Sequence, residues 1–498
     1  MRMVFDTNVL FDVEDPKEIS YTIQKLLTLI RNHGHSVLIH NLSLEDIKND
    51  KNEVRKKIIL SKVKGYPSIA KRDIESTFYN KIEKPKTNNE LIDDQILYCI
   101  YKNAADFLIT LDNGILHKAR ILSLDDRVLS PEQAVSYLED LHKSKETQHT
   151  IIDYLDLSRL NIADPFFDVL KEDYGEAKFK KWFETRQRDG DKGYAYLGQN
   201  DKILALLILK DETGEVGSIP PLPKERRLKI RTLKVDLKGS KLGELFLKFA
   251  FQFCINKNLP EVYCTHFEKE NDSLVYLLEQ YGFQKVAKKH YENGRYEGIW
   301  LKKFKVPTMP DPNPLEISKQ YYPAYVDSEK VRKFVIPIIP EFHDRLFPEY
   351  KDRQMRISDF THINQQGNAI KKAYLCNSNT NKVRAGDIIL FYKSSSEFQK
   401  ITSLGVVESA ERLSTTDSIL NKVGVRTVYT YVEIEKRTKP ALTILFRHHF
   451  NLPKSIGLED LKTSGILAGA PISITQLDNE KYKKVKELSA IDERFTIN

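Results

Sequence analysis

The feature that most constrains this chain is a short apolar run that stops on an acid. Met3-Val4-Phe5 has the length of a buried strand and ends at Asp6, followed at once by Thr7 and Asn8, residues suited to capping a helix. Ile19 to Ile30 is apolar at helical spacing, and Ser36-Val37-Leu38-Ile39-His40 is a second short buried strand. This strand, helix, strand unit predicts a parallel sheet. Ser43-Leu44-Glu45-Asp46 then opens a further helix, Asn89 to Tyr101 forms another that carries Asp93-Asp94, and the strand Ala105 to Thr110 runs into Leu111-Asp112. In an open parallel sheet the carboxyl ends of the strands share one edge, so acids just beyond them converge although they are distant in sequence. Taken singly, each acid is a helix cap or a helix-dipole partner. Together, Asp6, Asp46, Asp93 and Asp112 repel one another unless a cation sits between them, and hard oxygen ligands suit Mg or Mn. Such ions activate water and stabilise the leaving oxygen of a phosphodiester.

At 498 residues the chain is too long for one core, and three domains are expected. Cys99, Cys254, Cys264 and Cys376 lie far apart with no C-x-x-C pair, which argues against a zinc ribbon or a disulfide framework. No basic-then-apolar leader opens the chain, and no apolar run reaches the ~18 residues that span a bilayer. A cytoplasmic protein without membrane contact is therefore expected. The net charge of +8 permits polyanion binding without requiring it. Lys51, Arg55, Lys56, Lys57, Lys62 and Lys64 line a helix with Val54, Ile58, Ile59 and Val63 inside. That basic face is either solvated or holds RNA phosphates through residues such as Lys56 and Lys57.

Over residues 1–142 the chain resembles the PIN-domain family of metal-dependent ribonucleases. The resemblance rests on Phe5-Asp6-Thr7-Asn8, on Ser43-Leu44-Glu45-Asp46, on the run from Asp93 to Asn113, and on Val128-Leu129-Ser130-Pro131-Glu132-Gln133-Ala134. It implies a parallel α/β sheet and a catalytic metal set of Asp6, Asp46, Asp93 and Asp112. The doublets leave Glu45 against Asp46, and Asp93 against Asp94, ambiguous by one residue.

Residues 143–150 read as a polar linker, and 153–304 as a second domain. Strands at Gly193–Gly198, Ile203–Lys210 and Leu228–Val235 lead through Lys238-Gly239-Ser240-Lys241-Leu242-Gly243 into a helix with apolar positions Leu242, Leu245, Phe246, Phe249, Ala250 and Phe253. A glycine-bearing loop opening a helix offers backbone N–H groups to a pyrophosphate. The order strand, loop, helix, strand, helix, closing with Leu277-Leu278-Glu279-Gln280-Tyr281-Gly282-Phe283, resembles the GNAT acetyltransferases. The resemblance implies acetyl-CoA as cofactor, held by Val235, Lys238, Gly239, Ser240, Lys241, Leu242, Gly243 and Asn271. Two departures stand out. The loop's middle glycine is Lys241, and the tyrosine that commonly protonates the departing thiolate falls on Leu278, which has no proton to give.

Val306-Pro307 to Pro314 is proline-rich and reads as an extended linker within 305–326. Beyond it, 327–498 carries short strands that argue a small β-barrel with helices. Arg384-Ala385-Gly386-Asp387-Ile388-Ile389-Leu390-Phe391-Tyr392, followed by Leu404-Gly405-Val406-Val407-Glu408, resembles the PUA-like superfamily in its EVE and ASCH branches. That resemblance implies an RNA reader, with Phe391, Tyr392 and Ser394 as pocket candidates, against the stronger alternative that Phe391 and Tyr392 are core and strand-pair residues. The adjacent His448 and His449 face opposite ways on a strand and do not share a metal. The combined expectation is a multidomain α/β and α+β protein acting on RNA, tRNA first, as a nuclease joined to an acetyltransferase. A toxin or defence role, by association only, would require a silencing antitoxin protein. The alternatives are an acetyltransferase of aminoacyl-tRNA or protein whose first domain only grips RNA, and a catalytically silent RNA-binding regulator.

Overall fold

The alternation of short buried runs with helices does produce parallel pairing at the N-terminus. The computed structural model describes residues 1–14, 20–48, 50, 52–63, 65–142, 152–198, 201–236, 241–269, 272–306, 309, 311–347, 350, 369–394, 399–437 and 440–497, the side chains of 54 and 58 excepted. The chain divides into two compact units, Met1–Glu146 with Leu413–Pro440, and Thr147–Arg412 with Ala441–Asn498. Residues 413–440, counted from the sequence with the C-terminal domain, thus pack with the first unit. The second and third sequence segments form the other.

In the first unit, β1 (Arg2–Phe5), β2 (Ser36–His40), β3 (Ser68–Ile69), β4 (Phe107–Ile109) and β5 (Val128–Leu129) form one sheet in the order β3-β2-β1-β4-β5. All pairs are parallel. Val4, Phe5 and Phe107 to Ile109 are buried, as central strands covered on both faces must be. The strand order runs away from β1 in one direction to β3 and resumes on its other side at β4. A crevice therefore opens beyond the carboxyl ends of β1 and β4.

The excursion 413–440 supplies helices Thr416–Val423 and Tyr431–Glu435, each started by a capping box, Thr415 with Ser418 and Thr430 with Glu433. Between them Gly424 has φ +50°, and a Cβ there would stand 2.8 Å from the carbonyl oxygen of Asp126. The next N–H, of Val425, donates to that same carbonyl at 3.2 Å. The Arg426 guanidinium pairs with the Asp126 carboxylate, both 9% exposed. The ring of Tyr431 stacks on His142 at 5.6 Å.

In the second unit, β6 (Ile152–Asp156), β7 (Lys192–Leu197), β8 (Ile203–Val216), β9 (Leu222–Val235), β10 (Glu261–His266), β11 (Gln284–His290) and β12 (Tyr296–Lys303) form a sheet in the order β11-β12-β10-β9-β8-β7-β6. β9 and β10 are its parallel pair, and their register ends at Cys264 opposite Ile230 although both strands continue. At that point β9 carries a bulge. Ile208 of β8 faces Thr232 and Leu209 faces Ile230, so Arg231 is the extra residue. A bulge bends and twists its strand, and here it takes β9 out of reach of β10. Helices Leu242–Lys257 and Ser273–Gln280 pack on one face through Phe246, Phe251, Leu278 and Tyr281, and Phe166, Phe167, Phe179 and Phe183 form a separate cluster with β7 and β8.

The remaining strands are β13 (Tyr325–Val326), β14 (Lys333–Ile338), β15 (Lys371–Cys376), β16 (Ile388–Lys393), β17 (Lys400–Leu413), β18 (Ala441–Gly457), β19 (Thr475–Leu477) and β20 (Thr496–Ile497). Six of them form a sheet in the order β15-β18-β17-β16-β14-β19, and β13 pairs with β20. The expected closed barrel is not found among the described residues. Its edge strand β19 is three residues long and pairs only with β14. The proline-rich stretch is not a plain spacer either. Asn313 caps the helix Pro314–Gln320 through Leu315 and Glu316 N–H groups, and Ile317, Tyr322 and Tyr325 are core residues. Asn followed by Pro is a helix start as well as a turn signal.

Asp126→Ala removes the carboxylate paired with the buried Arg426, a loss of about 3–5 kcal/mol. Calorimetry should show the first unit melting roughly 6–15 °C lower. Adding Arg426→Ala should cost less than the sum of the two single changes.

Candidate functional site

The crevice beyond β1 and β4 gathers the N-terminal acids. Asp6 is 3% exposed, and its N–H continues the sheet by donating to the Ile109 carbonyl at 3.0 Å. Its carboxylate accepts the Thr7 N–H at 2.7 Å and the Thr110 hydroxyl at 2.7 Å. The Thr7 hydroxyl donates in turn to Asp46 at 3.3 Å. Asp112 takes the Ile115 N–H at 2.9 Å and so caps the helix Asn113–Ile121. The doublets separate by partner. Glu45 is exposed whereas Asp46 meets Thr7, and Asp94 is buried against Lys118 at 2.6 Å whereas Asp93 lies among Asp6, Asp112 and Asp46.

Burial, then repulsion from Asp6 and Asp112, pushes the Asp93 carboxyl up to about 7. Burial raises Asp6 to about 6 against the pull of the Thr110 and Thr7 hydrogen bonds, with Asp112 and Asp46 adding to the rise. Asp46 is also raised, first by burial. The oxygen donors are those a hard cation takes. Among the described residues, however, no group of three or more His, Cys, Asp or Glu side chains is gathered closely enough to hold a metal ion. The expected Mg or Mn site is thus an electrostatic cluster of mutually repelling acids rather than a formed ligand cage. Of the basic helix, Lys56 is engaged with Glu53 at 2.6 Å and with the Lys48 carbonyl, while Lys57 is exposed.

In the second unit, the parting of β9 and β10 opens onto a cavity of about 1230 Å³. Its polar anchor is Glu297, 1% exposed, which accepts from the hydroxyls of Tyr174, of Thr265 at 2.9 Å and of Tyr291 at 2.5 Å. Burial and the Glu297 charge push both tyrosines far above their ordinary range. Lys229, also lining the cavity, is held below the ordinary lysine value by burial. His266 at the end of β10 bonds Asp272 through Nε2 at 2.6 Å. Asp272 is fixed as the cap of Ser273–Gln280 by the Leu274 and Val275 N–H groups.

The expected cofactor-loop residues fare unevenly. Lys238, Gly239, Ser240 and Asn271 lie outside the described residues. Val235 ends β9, partly buried against the core, and Lys241 enters the helix with φ +54° beside Glu244 at 3.5 Å. Leu242 is a core residue, and a Cβ on Gly243 would meet Leu277 at 2.9 Å. Gly243 therefore serves the close packing of two helices. Leu278 is buried and lines the cavity. Tyr281, its neighbour in sequence, is enclosed, with its hydroxyl committed to the buried Glu244 at 2.9 Å.

The pocket candidates of β16 are enclosed. Phe391 is inside, packed on Phe347 and Phe446, and Tyr392 is equally buried. Ser394 bonds the Ile338 carbonyl through both its N–H and its hydroxyl. A strand covered on both faces hides the residues that a one-sided strand would display. His448 and His449 do diverge. His448 meets Phe347, and His449 bonds Ser318 at 2.7 Å. Sequence reading missed Glu297, Tyr174, Thr265 and Tyr291, which come from four separate segments. It missed the His266–Asp272 pair as well, where an acid in capping position six residues after a strand-end histidine was the available signal.

No family model and no curated protein matches the chain. Several solved structures do. ASCH from Zymomonas mobilis is 17% identical, with 31% of this chain and 94% of that one covered and a TM-score of 0.24. A GNAT-family acetyltransferase from Listeria monocytogenes 4b F2365 is 16% identical over 31% and 94%, with a TM-score of 0.23. Another from Elizabethkingia anophelis, with acetyl-CoA bound, is 14% identical over 31% and 97%, with a TM-score of 0.22. Likenesses of this size carry no functional weight, which rests instead on the side chains. No described helix is long and apolar enough to cross a membrane.

The raised acids have a consequence for stability. Folding favours the protonated forms of Asp6 and Asp93, so the benefit is complete below the unfolded value of 3.8 and is lost as pH rises through about 6 and about 7. Asp93→Asn should melt with the unchanged protein at about pH 4 and above it at about pH 8. Millimolar Mn or Mg should narrow that difference by stabilising only the protein that keeps Asp93.

Proposed function

We propose that the second unit is an acyltransferase that uses acetyl-CoA and an amine acceptor. The observation that supports this reading is the bulge at Arg231, which parts two parallel strands over an open cavity. Beyond Ile230 and Cys264 the facing edges of β9 and β10 pair with no strand among the described residues. Their amide and carbonyl groups suit the amides of an extended pantetheine arm, which is the sense in which the cavity fits the cofactor. When bound, acetyl-CoA supplies an activated thioester. Glu297 fixes Tyr174 and Tyr291 around the cavity and so shapes the entry of the acceptor. The lining mixes basic groups, Lys229, Arg231 and Lys289 among them, with acidic ones, Glu212, Glu292 and Glu297 among them, so its charge does not choose the carrier of the amine.

A second reading concerns the first unit and rests on its own observation, four acids drawn to one sheet edge at the cost of mutual repulsion. Such an edge is suited to metal-dependent cleavage of RNA. The four acids are not a formed ligand cage, and an ion that drew Asp6, Asp46, Asp93 and Asp112 together would supply activated water and charge neutralisation. Thr7 and Thr110 fix the acids through their hydroxyls.

Two assays on the full chain test these readings separately. Free thiol should appear from acetyl-CoA when aminoacyl-tRNA, a polyamine or a peptide amine is added, and Glu297→Gln should lower kcat/KM about tenfold or more. Total tRNA with Mn or Mg should be cut, and Asp6→Asn or Asp93→Asn should reduce cutting at least about 100-fold while sparing thiol release. Absence of both thiol release and acetyl-CoA binding would overturn the first reading. Cutting that persists in both Asn variants would overturn the second.

A further inference from the structure

A thiolate leaving group needs a proton, and the position from which the resembled acetyltransferases commonly give it is Leu278 in this chain. Tyr281 does not substitute, because its hydroxyl is buried on Glu244. The cavity is nevertheless lined by a titratable side chain close to the start of that helix. His266 stands on β10 two residues beyond the last pairing with β9, where the strands part, and it lines the same cavity as Leu274 and Leu278. Its Nε2 meets the Asp272 carboxylate at 2.6 Å. Asp272 is held in turn by the N–H groups of Lys269, Leu274 and Val275. A carboxylate fixed in this way orients the imidazole. The other ring nitrogen, Nδ1, has no hydrogen-bond partner among the described residues, and the side chain keeps 24% exposure. The imidazole is thus braced on one side and open on the other.

We propose that His266, braced by Asp272, is the acid that protonates the departing sulfur, taking the place of the tyrosine absent at Leu278. This deepens the acyltransferase reading and rests on it. In the step, the acceptor nitrogen bonds to the thioester carbonyl carbon and the carbon–sulfur bond breaks. His266 gives its Nδ1 proton to the sulfur, and the surplus proton of the acylated nitrogen passes through solvent to recharge the imidazole. The charged groups and histidine lining the cavity around it are Lys210 and Glu212 of β8, Lys229 and Arg231 of β9, Lys289 and His290 of β11, Glu292 and Arg295 between β11 and β12, Glu297 of β12, and Glu172, Asp173, Glu176, Lys178 and Arg186 from the helical segments, with Asp272 in direct contact. Asp272 is a positioning residue here.

The test compares the unchanged chain with His266→Gln, His266→Ala and Asp272→Asn. His266→Gln should lower kcat about 100-fold with the KM for acetyl-CoA unchanged, and should remove the alkaline fall of the kcat profile. Added imidazole should restore part of the rate of His266→Ala, which a purely structural residue would not allow. A readout independent of turnover is the binding of CoA against desulfo-CoA by calorimetry across pH. The unchanged chain should favour CoA over desulfo-CoA while the imidazole is protonated and lose that preference as pH rises, and His266→Gln should show no such pH-dependent preference. Folded variants that keep their kcat and their preference for CoA would overturn the role of His266 alone. An unchanged chain that binds neither CoA nor acetyl-CoA would overturn the acyltransferase reading, and this role with it.

Discussion

Two parallel strands share hydrogen bonds only while they stay within about 5 Å of each other, and one extra residue is enough to end that. Arg231 is that residue. β9 keeps its pairing with β8 on both sides of the bulge, so the sheet stays continuous there, while its pairing with β10 stops at Ile230. The cost is a set of backbone groups left without a strand partner, and the gain is an opening in the middle of a sheet. The proposed chemistry depends on that opening. Glu297 reaches its three hydroxyl donors beside it, and His266 stands at its edge because β10 continues after its neighbour has turned away.

The first unit accepts a different cost. Placing β1 at the centre of a 3-2-1-4-5 sheet brings Asp6 to the crevice, and the same topology delivers Asp93 and Asp112 to it. Burial and like charge work against ionisation of Asp6 and Asp93, so gathering them has an electrostatic cost at neutral pH. A divalent cation would relieve it. The threonines show how the site is held. Thr110 serves Asp6 with its hydroxyl and takes the Asp112 N–H at 2.9 Å with the same oxygen, which links two acids through one side chain.

What could be read from the sequence divides by the range of the interaction. The strand and helix order of the first unit follows from local periodicity, and the convergence of its acids follows from parallel topology. The doublets Glu45-Asp46 and Asp93-Asp94 were not resolvable because the competing roles belong to partners such as Thr7 and Lys118, far away in sequence. Residues 413–440 gave no local sign of belonging to the first unit, since the pair that fixes them joins Asp126 to Arg426 across 300 positions. Phe391 and Tyr392 stayed open between pocket and core because a strand buried on both faces has no alternation to separate the two. The bulge at Arg231 has no composition signature, so the opening that organises the second unit could not be read at all.

The measurement that bears most directly on the central claim is hydrogen–deuterium exchange of the full chain with and without acetyl-CoA. The unpaired edges 231–235 and 265–267 should be slowed by the cofactor, together with the helix Ser273–Gln280. Protection confined to other segments, or none at saturating acetyl-CoA, would contradict the placement of the cofactor between β9 and β10.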